Sequence, residues 1–144
     1  MPTVTQQNHL IEEEYLDGEL HSDIRHELIN GVAYAMVGAT TNHNRISRNV
    51  LTEATVHLKG QPCEPFGADM KVKVGKNFYY PDVMVDCSED AGGKDLFKQN
   101  PVFIVEVLSD STQLFDRKAK FAAYRDIPTL EEYVLIEQRS NEIF

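Results

Sequence analysis

Two carboxylates stand where buried strands normally carry none: Asp82 in Tyr80-Pro81-Asp82-Val83-Met84-Val85, and Glu106 in Val102-Phe103-Ile104-Val105-Glu106-Val107-Leu108. An ionised carboxylate inside a strand is costly unless a cation or metal compensates it. Alternate residues of a strand share a face, so Tyr80, Asp82 and Met84 lie on one side, and Val102, Ile104, Glu106 and Leu108 on one side of theirs. If the two strands are neighbours, Asp82 and Glu106 reach one ion. Two carboxylates, a backbone carbonyl and water form a hard-cation site for Mg²⁺ or Mn²⁺. Such an ion acidifies water and offsets the charge that grows on a phosphate under attack.

That chemistry calls for a cationic side chain beside the acids. Two residues beyond Glu106 the same face carries Leu108, so the cation must come from elsewhere. Lys120, on a helical stripe with Arg117 and Tyr124 just after the Glu106 strand, is the first candidate, and Lys118 is its competitor. Either lysine is otherwise read as part of a solvated helix face. Glu27 lies three residues before the Asn30-Gly31 turn; it is either an edge-strand charge or a third acid aimed at the site. His43, Asn44, Arg45 and Arg48 cluster near a helix start with no balancing acid. They are read either as a solvated basic face or as nucleic-acid contacts through phosphate.

The elements that carry these residues follow from pattern. Residues 10–20 suggest a short surface helix ending near Gly18, with Glu12–Glu14 on its solvated face. Asn30-Gly31 between β-type runs marks a hairpin with a two-residue turn. Thr41 to Lys59 is a long helix, capped by Thr40, Thr41 or Asn42, with Ile46, Val50, Ala54 and Leu58 as its apolar stripe. Residues 63–66 and 70–74 are strand-like, and a turn at Gly75-Lys76-Asn77 leads into Phe78–Asp86, giving an antiparallel pair. Residues 88–100 read as a loop with little order of its own. Residues 113–126 form a second long helix, and Glu132–Glu137 a further strand. Arg139-Ser140-Asn141 then forms a turn into a return strand that the sequence leaves incomplete, so that C-terminal strands are missing or another chain fills the edge. The sum is a single α/β domain over residues 1–144, with a mixed central sheet, two main flanking helices and an N-terminal hairpin.

Composition narrows the classes. The net charge of −9 argues mildly against a nucleic-acid binder. Charge is uneven, though: residues 41–80 hold six bases against three acids, so a polyanionic substrate is permitted. Cys63 and Cys87 are expected to be separate buried thiols in a reduced setting. With no membrane-length apolar run and no N-terminal signal segment, a cytoplasmic location is expected. Two-carboxylate glycoside hydrolysis fits poorly, because the chain has no Trp to stack on a sugar.

Pro81-Asp82 followed by Glu106-Val107-Leu108 resembles the PD-(D/E)XK nuclease signature with its lysine displaced. More closely, Arg25-His26-Glu27-Leu28-Ile29-Asn30-Gly31-Val32, Tyr80-Pro81-Asp82-Val83-Met84-Val85 and Pro101-Val102-Phe103-Ile104-Val105-Glu106-Val107-Leu108-Ser109 resemble the Uma family of restriction-endonuclease-like proteins. Ser111-Thr112, Asp116-Arg117, Lys120-Phe121, Tyr124-Arg125 and Glu132-Tyr133 continue the match in order. The resemblance implies a restriction-endonuclease-like core and a Mg²⁺-dependent phosphodiesterase site acting on DNA. It makes Asp82 and Glu106 metal ligands, Lys120 the displaced lysine and Glu27 the upstream acid, and a homodimer is the simplest way to cut both strands. The competing expectation is an inactive binding or regulatory module that keeps the fold.

Overall fold

In the computed structural model, residues 3–4, 9–90, 92–109 and 113–138 are described. The first hairpin forms where Asn30-Gly31 requires it: β2 (His26–Ile29) pairs antiparallel with β3 (Val32–Ala35), with Ile29 opposite Val32. Both turn residues take positive φ, 52° at Asn30 and 82° at Gly31, the type I′ geometry that favours this dipeptide. A Cβ on Gly31 would meet the His9 backbone at 2.8 Å, so the position also needs glycine for space.

Around this hairpin the elements are β1 (Thr3–Val4), α1 (Glu12–His21), α2 (Thr41–His57), β4 (Glu64–Phe66), β5 (Lys71–Val74), β6 (Asn77–Tyr79), β7 (Val83–Asp86), β8 (Phe97–Lys98), β9 (Pro101–Leu108), α3 (Gln113–Tyr124) and β10 (Glu132–Glu137). The α/β class and its restriction-endonuclease-like core stand. The β-structure, however, is divided over two sheets: a six-stranded sheet of order β1-β3-β2-β6-β5-β8 and a four-stranded sheet of order β10-β9-β7-β4. Both are mixed, since β8 runs parallel to β5 and β10 parallel to β9.

The division falls inside a stretch expected as one strand, Phe78–Asp86. β6 ends at Tyr79 in the larger sheet and β7 starts at Val83 in the smaller one. Pro81 has no N–H for a ladder, and the Tyr80 N–H is taken by the Glu27 carboxylate at 2.9 Å, so no ladder can continue through either residue. Two other expectations shift. α1 runs through Gly18 to His21, its first turn carrying Glu12, Glu13 and Glu14, with Glu14 accepting the Ile11 N–H at 3.1 Å. Residues 88–100 contain the short strand β8, anchored by Phe97 edge-on to Phe78 with ring centroids 5.3 Å apart.

Cys63 and Cys87 are joined in a disulfide, which corrects the expectation of separate thiols. β4 pairs with β7 so that Glu64 faces Asp86, and the next residue outward on each strand is a cysteine. Spacing along the chain carries no trace of that register. The turn and return strand expected after residue 138 lie outside the described residues.

Two apolar clusters hold the fold. Val72 and Tyr79 from the larger sheet, Met84 and Ile104 from the smaller one, and Tyr124 and Ile127 at the end of α3 form one buried group across the seam between the sheets. Tyr15 of α1, Leu28 and Phe78 form the other. α2 lies against β4, β7 and β9 with its expected stripe half-buried and no residue fully buried. No described helix is long and apolar enough to cross a membrane.

Candidate active site

β7 and β9 are antiparallel neighbours, with Val83 opposite Val105 and Met84 opposite Ile104. One step further, position 82 falls opposite position 106. The backbone ladder stops there, and the Asp82 side chain takes its place: Oδ2 accepts the Val107 N–H at 2.6 Å. Asp82 and Glu106 thus both stand at one end of the smaller sheet.

Glu106 is buried, 6% exposed. Its Oε1 accepts a hydrogen bond from Tyr124 Oη at 3.0 Å and lies 3.6 Å from Lys120 Nζ. Burial pushes the Glu106 carboxyl well above the usual carboxylate range, against the pull of the Lys120 ammonium, while Asp82 and Glu27 push it further up. Burial likewise raises the Tyr124 phenol, with the Glu106 carboxylate adding to it. A buried acid that one lysine cannot fully offset is a place where more positive charge is stabilising.

Glu27 is not an edge-strand charge. β2 is flanked by β3 and β6, and Glu27 is 6% exposed. Its Oε2 accepts from the Tyr80 N–H and from Lys120 Nζ at 3.2 Å. Of the two candidate lysines, Lys120 is buried between Glu27 and Glu106, and Lys118 is exposed. Tyr124, one helical turn beyond Lys120, points to Glu106; Arg117's side chain lies outside the described residues.

The basic group on α2 separates. His43 turns inward, Nε2 lying 3.3 Å from Asp82 Oδ2, and its backbone N–H is capped by Thr40 Oγ1 at 3.2 Å. The hydrogen bond to Asp82 raises the imidazole pKa despite its partial burial. Arg45 and Arg48 stay outside, exposed, and line a shallow recess with Thr40, Thr41 and Asn44. His43 was placed by sequence with these arginines, because its contact with Asp82 depends on how α2 crosses the sheet. Glu19 was not singled out at all. Its carboxylate, 6% exposed, accepts from the His26 N–H at 2.7 Å and from Tyr80 Oη at 2.8 Å, fixing the residue before Pro81-Asp82.

These groups line a cavity of about 320 Å³ with Glu27, His43, Tyr80, Asp82, Glu106 and Lys120 on its wall. Among the described residues no three His, Cys, Asp or Glu side chains are already gathered around one point. The donor set therefore does not form an all-protein cage. It fits a cation held by two carboxylates and completed by water and substrate oxygens, which is how Mg²⁺ is usually bound.

A mixed sheet presenting paired acids at a strand end, with a helix lysine over them, defines a restriction-endonuclease-like protein. Residues 12–144 match the family Uma2, described as "putative restriction endonuclease", and the chain belongs to that family. It is 38% identical over 133 residues to the uncharacterized protein slr1290 of Synechocystis sp. (91% of this chain, 70% of the relative), and 36% identical over 129 residues to sll1609 of the same organism (87% and 73%). It is also similar in fold to a crystal structure described as a putative nuclease belonging to DUF820 from Anabaena variabilis, with a TM-score of 0.69, 19% identity, and coverage of 90% of this chain and 83% of that one.

Proposed function

We propose that the protein is a metal-dependent endonuclease that hydrolyses phosphodiester bonds in DNA, with Asp82 and Glu106 holding Mg²⁺ or Mn²⁺. The observation that carries this reading is that Asp82, Glu106 and Lys120 line one cavity, contributed by the residue before β7, by β9 and by α3. A bound cation supplies positive charge against the phosphate oxygens and lowers the pKa of nearby water. The chain's own groups do the rest. Val107 N–H holds Asp82 and Tyr124 Oη holds Glu106, which limits the movement each carboxylate needs in order to bind. Lys120 brings a fixed ammonium to the charge that develops on the phosphate and orients the attacking water. Glu27 holds Lys120 in place and is close enough to act through a water. Arg45 and Arg48, outside the cavity, would contact the flanking backbone phosphates. A homodimer would bring two such sites to the two strands of a duplex.

A second reading is a module that keeps the fold and binds nucleic acid or a regulatory partner without turnover. The net charge of −9, unfavourable for holding a polyanion, favours the regulatory form of that module. Plasmid nicking with Mg²⁺ or Mn²⁺, run beside calorimetric metal titration on wild type, Asp82→Ala and Glu106→Ala, separates the two. Loss of metal binding and of cleavage together is the expected result. Cleavage that survives either substitution overturns the site, and binding of several DNA and RNA forms without any cleavage favours the module.

A further inference from the structure

Arg25 is the only arginine among the described residues that line the cavity, and the nuclease reading gives it no task. It stands immediately before β2, where its carbonyl accepts the Met36 N–H at 2.9 Å and extends the pairing with β3 by one residue. Alternate residues of a strand share a face, which puts Arg25 on the same side as Glu27.

The guanidinium is held but not used up. Nη1 donates to the Ala68 carbonyl at 2.5 Å and lies 3.4 Å from Asp69 Oδ1. The Asp69 side chain is fully exposed, so that ion pair contributes little. The guanidinium carbon sits 5.6 Å from the centroid of the Tyr80 ring, and Tyr80 is itself fixed through its N–H by Glu27 and through Oη by Glu19. Nε and Nη2 make no hydrogen bond among the described residues. A planar fork with two open donors, seated on a fixed ring and 42% exposed at the cavity, matches two oxygens of one phosphate.

Charge gives the fork a task. Of the other basic side chains on the wall, Lys120 lies against Glu27 and Glu106, and His43 against Asp82. Arg25 lies against none of these three acids. They repel an incoming phosphodiester, so a backbone held on the cavity needs a cation that they have not already taken. Arg45 and Arg48 belong to the neighbouring recess, which meets the cavity at Ala39 and Thr40.

We propose that Arg25 clamps a backbone phosphate of the DNA next to the one attacked, with Nε and Nη2 each donating to a non-bridging oxygen while Nη1 stays on Ala68. This rests on the nuclease reading above and adds a substrate-binding residue to it. The plain alternative is a brace that only pins the turn at Ala68 to the start of β2.

Steady-state cleavage of duplex DNA in MnCl₂ over a series of KCl concentrations, on the full chain as wild type, Arg25→Gln, Arg25→Lys and Asp69→Asn, tests it beside calorimetric titration with MnCl₂. In R25Q, KM is expected to rise about tenfold or more with kcat little changed. The slope of log KM against log[KCl] should fall by about 0.9, the loss of one duplex phosphate contact. R25K should keep the slope and recover part of KM, D69N should cut like wild type, and Mn²⁺ affinity should be the same in all four. Wild-type KM and slope in R25Q overturn the clamp. A raised KM at unchanged slope, or a D69N that reproduces R25Q, identifies the brace instead. A duplex with a neutral methylphosphonate beside the cut should raise KM in wild type and add nothing in R25Q; no effect on either side of the cut in wild type overturns the clamp without any variant having to fold. A wild type that cuts no DNA overturns the nuclease reading itself, whereas a wild type that cuts with an unaffected R25Q sinks the clamp alone.

Discussion

Glu27 Oε2 and Lys120 Nζ, separated by 93 residues of sequence, meet at 3.2 Å with 8% and 10% of their side chains exposed. The contact joins the first hairpin to the last described helix. The same ammonium lies 3.6 Å from Glu106, so one lysine compensates two buried acids. Removing one partner of a buried pair leaves an uncompensated charge and is far more damaging than the pair is stabilising.

Lys120→Ala is therefore expected to lower the stability of the metal-free protein by about 3–5 kcal/mol. Mn²⁺ should recover more of that loss than it adds to wild type, because a cation near Glu106 replaces the missing charge. Urea denaturation with and without MnCl₂ reads both effects. Metal affinity should persist and cleavage should fall; unchanged turnover would remove Lys120 from the chemistry.

Lys71 gives a pH signature away from the site. It is 8% exposed, with its ammonium 5.3 Å from the Tyr80 ring centroid. Burial lowers its pKa from the ordinary 10.5, with the Glu19 carboxylate opposing. The unfolded chain thus binds this proton more tightly than the native one. The stability linked to Lys71 is present above pH 10.5 and is lost as pH falls through the lower native value. Wherever the native side chain is charged, its buried ammonium is a cost. Lys71→Met should raise the denaturation midpoint at pH 7 and flatten the alkaline slope. A lower midpoint at pH 7 would mean that the cation–π contact with Tyr80 outweighs the burial.

The disulfide closes a loop between residues 24 apart, which corresponds to about 3 kcal/mol of chain-entropy stabilisation. Dithiothreitol, or Cys87→Ser, should lower stability by roughly that amount. Alkylation of both cysteines in the native protein without reductant would show the bond to be absent.

Local pattern went far here because most elements are local. Asn30-Gly31, the Thr40 cap, Pro101 at the start of β9 and the apolar run Glu132–Glu137 each have one reading, and each lies where that reading puts it. The acids were legible for a different reason: a carboxylate in an apolar strand is a conflict that needs a partner. What stayed hidden depends on crossings between distant segments. Glu27 looked like an edge charge until β6 covered its flank. His43 looked like a neighbour of Arg45 until α2 was laid over β7. The cysteines needed the register of β4 on β7. The break at Pro81 was visible as a proline, but its consequence, a change of sheet, needed the Glu27 carboxylate waiting for the Tyr80 amide.

That amide is a built-in reporter. Tyr80 N–H is bonded to a side chain and not to a strand, so its hydrogen–deuterium exchange is governed by how long the Glu27 carboxylate stays seated. Ladder amides of β5 or β9 open only when their sheet does. The Tyr80 amide opens when the two sheets part or when Glu27 turns toward something else, so its protection, like that of the Val107 amide held by Asp82, follows occupancy of the cavity.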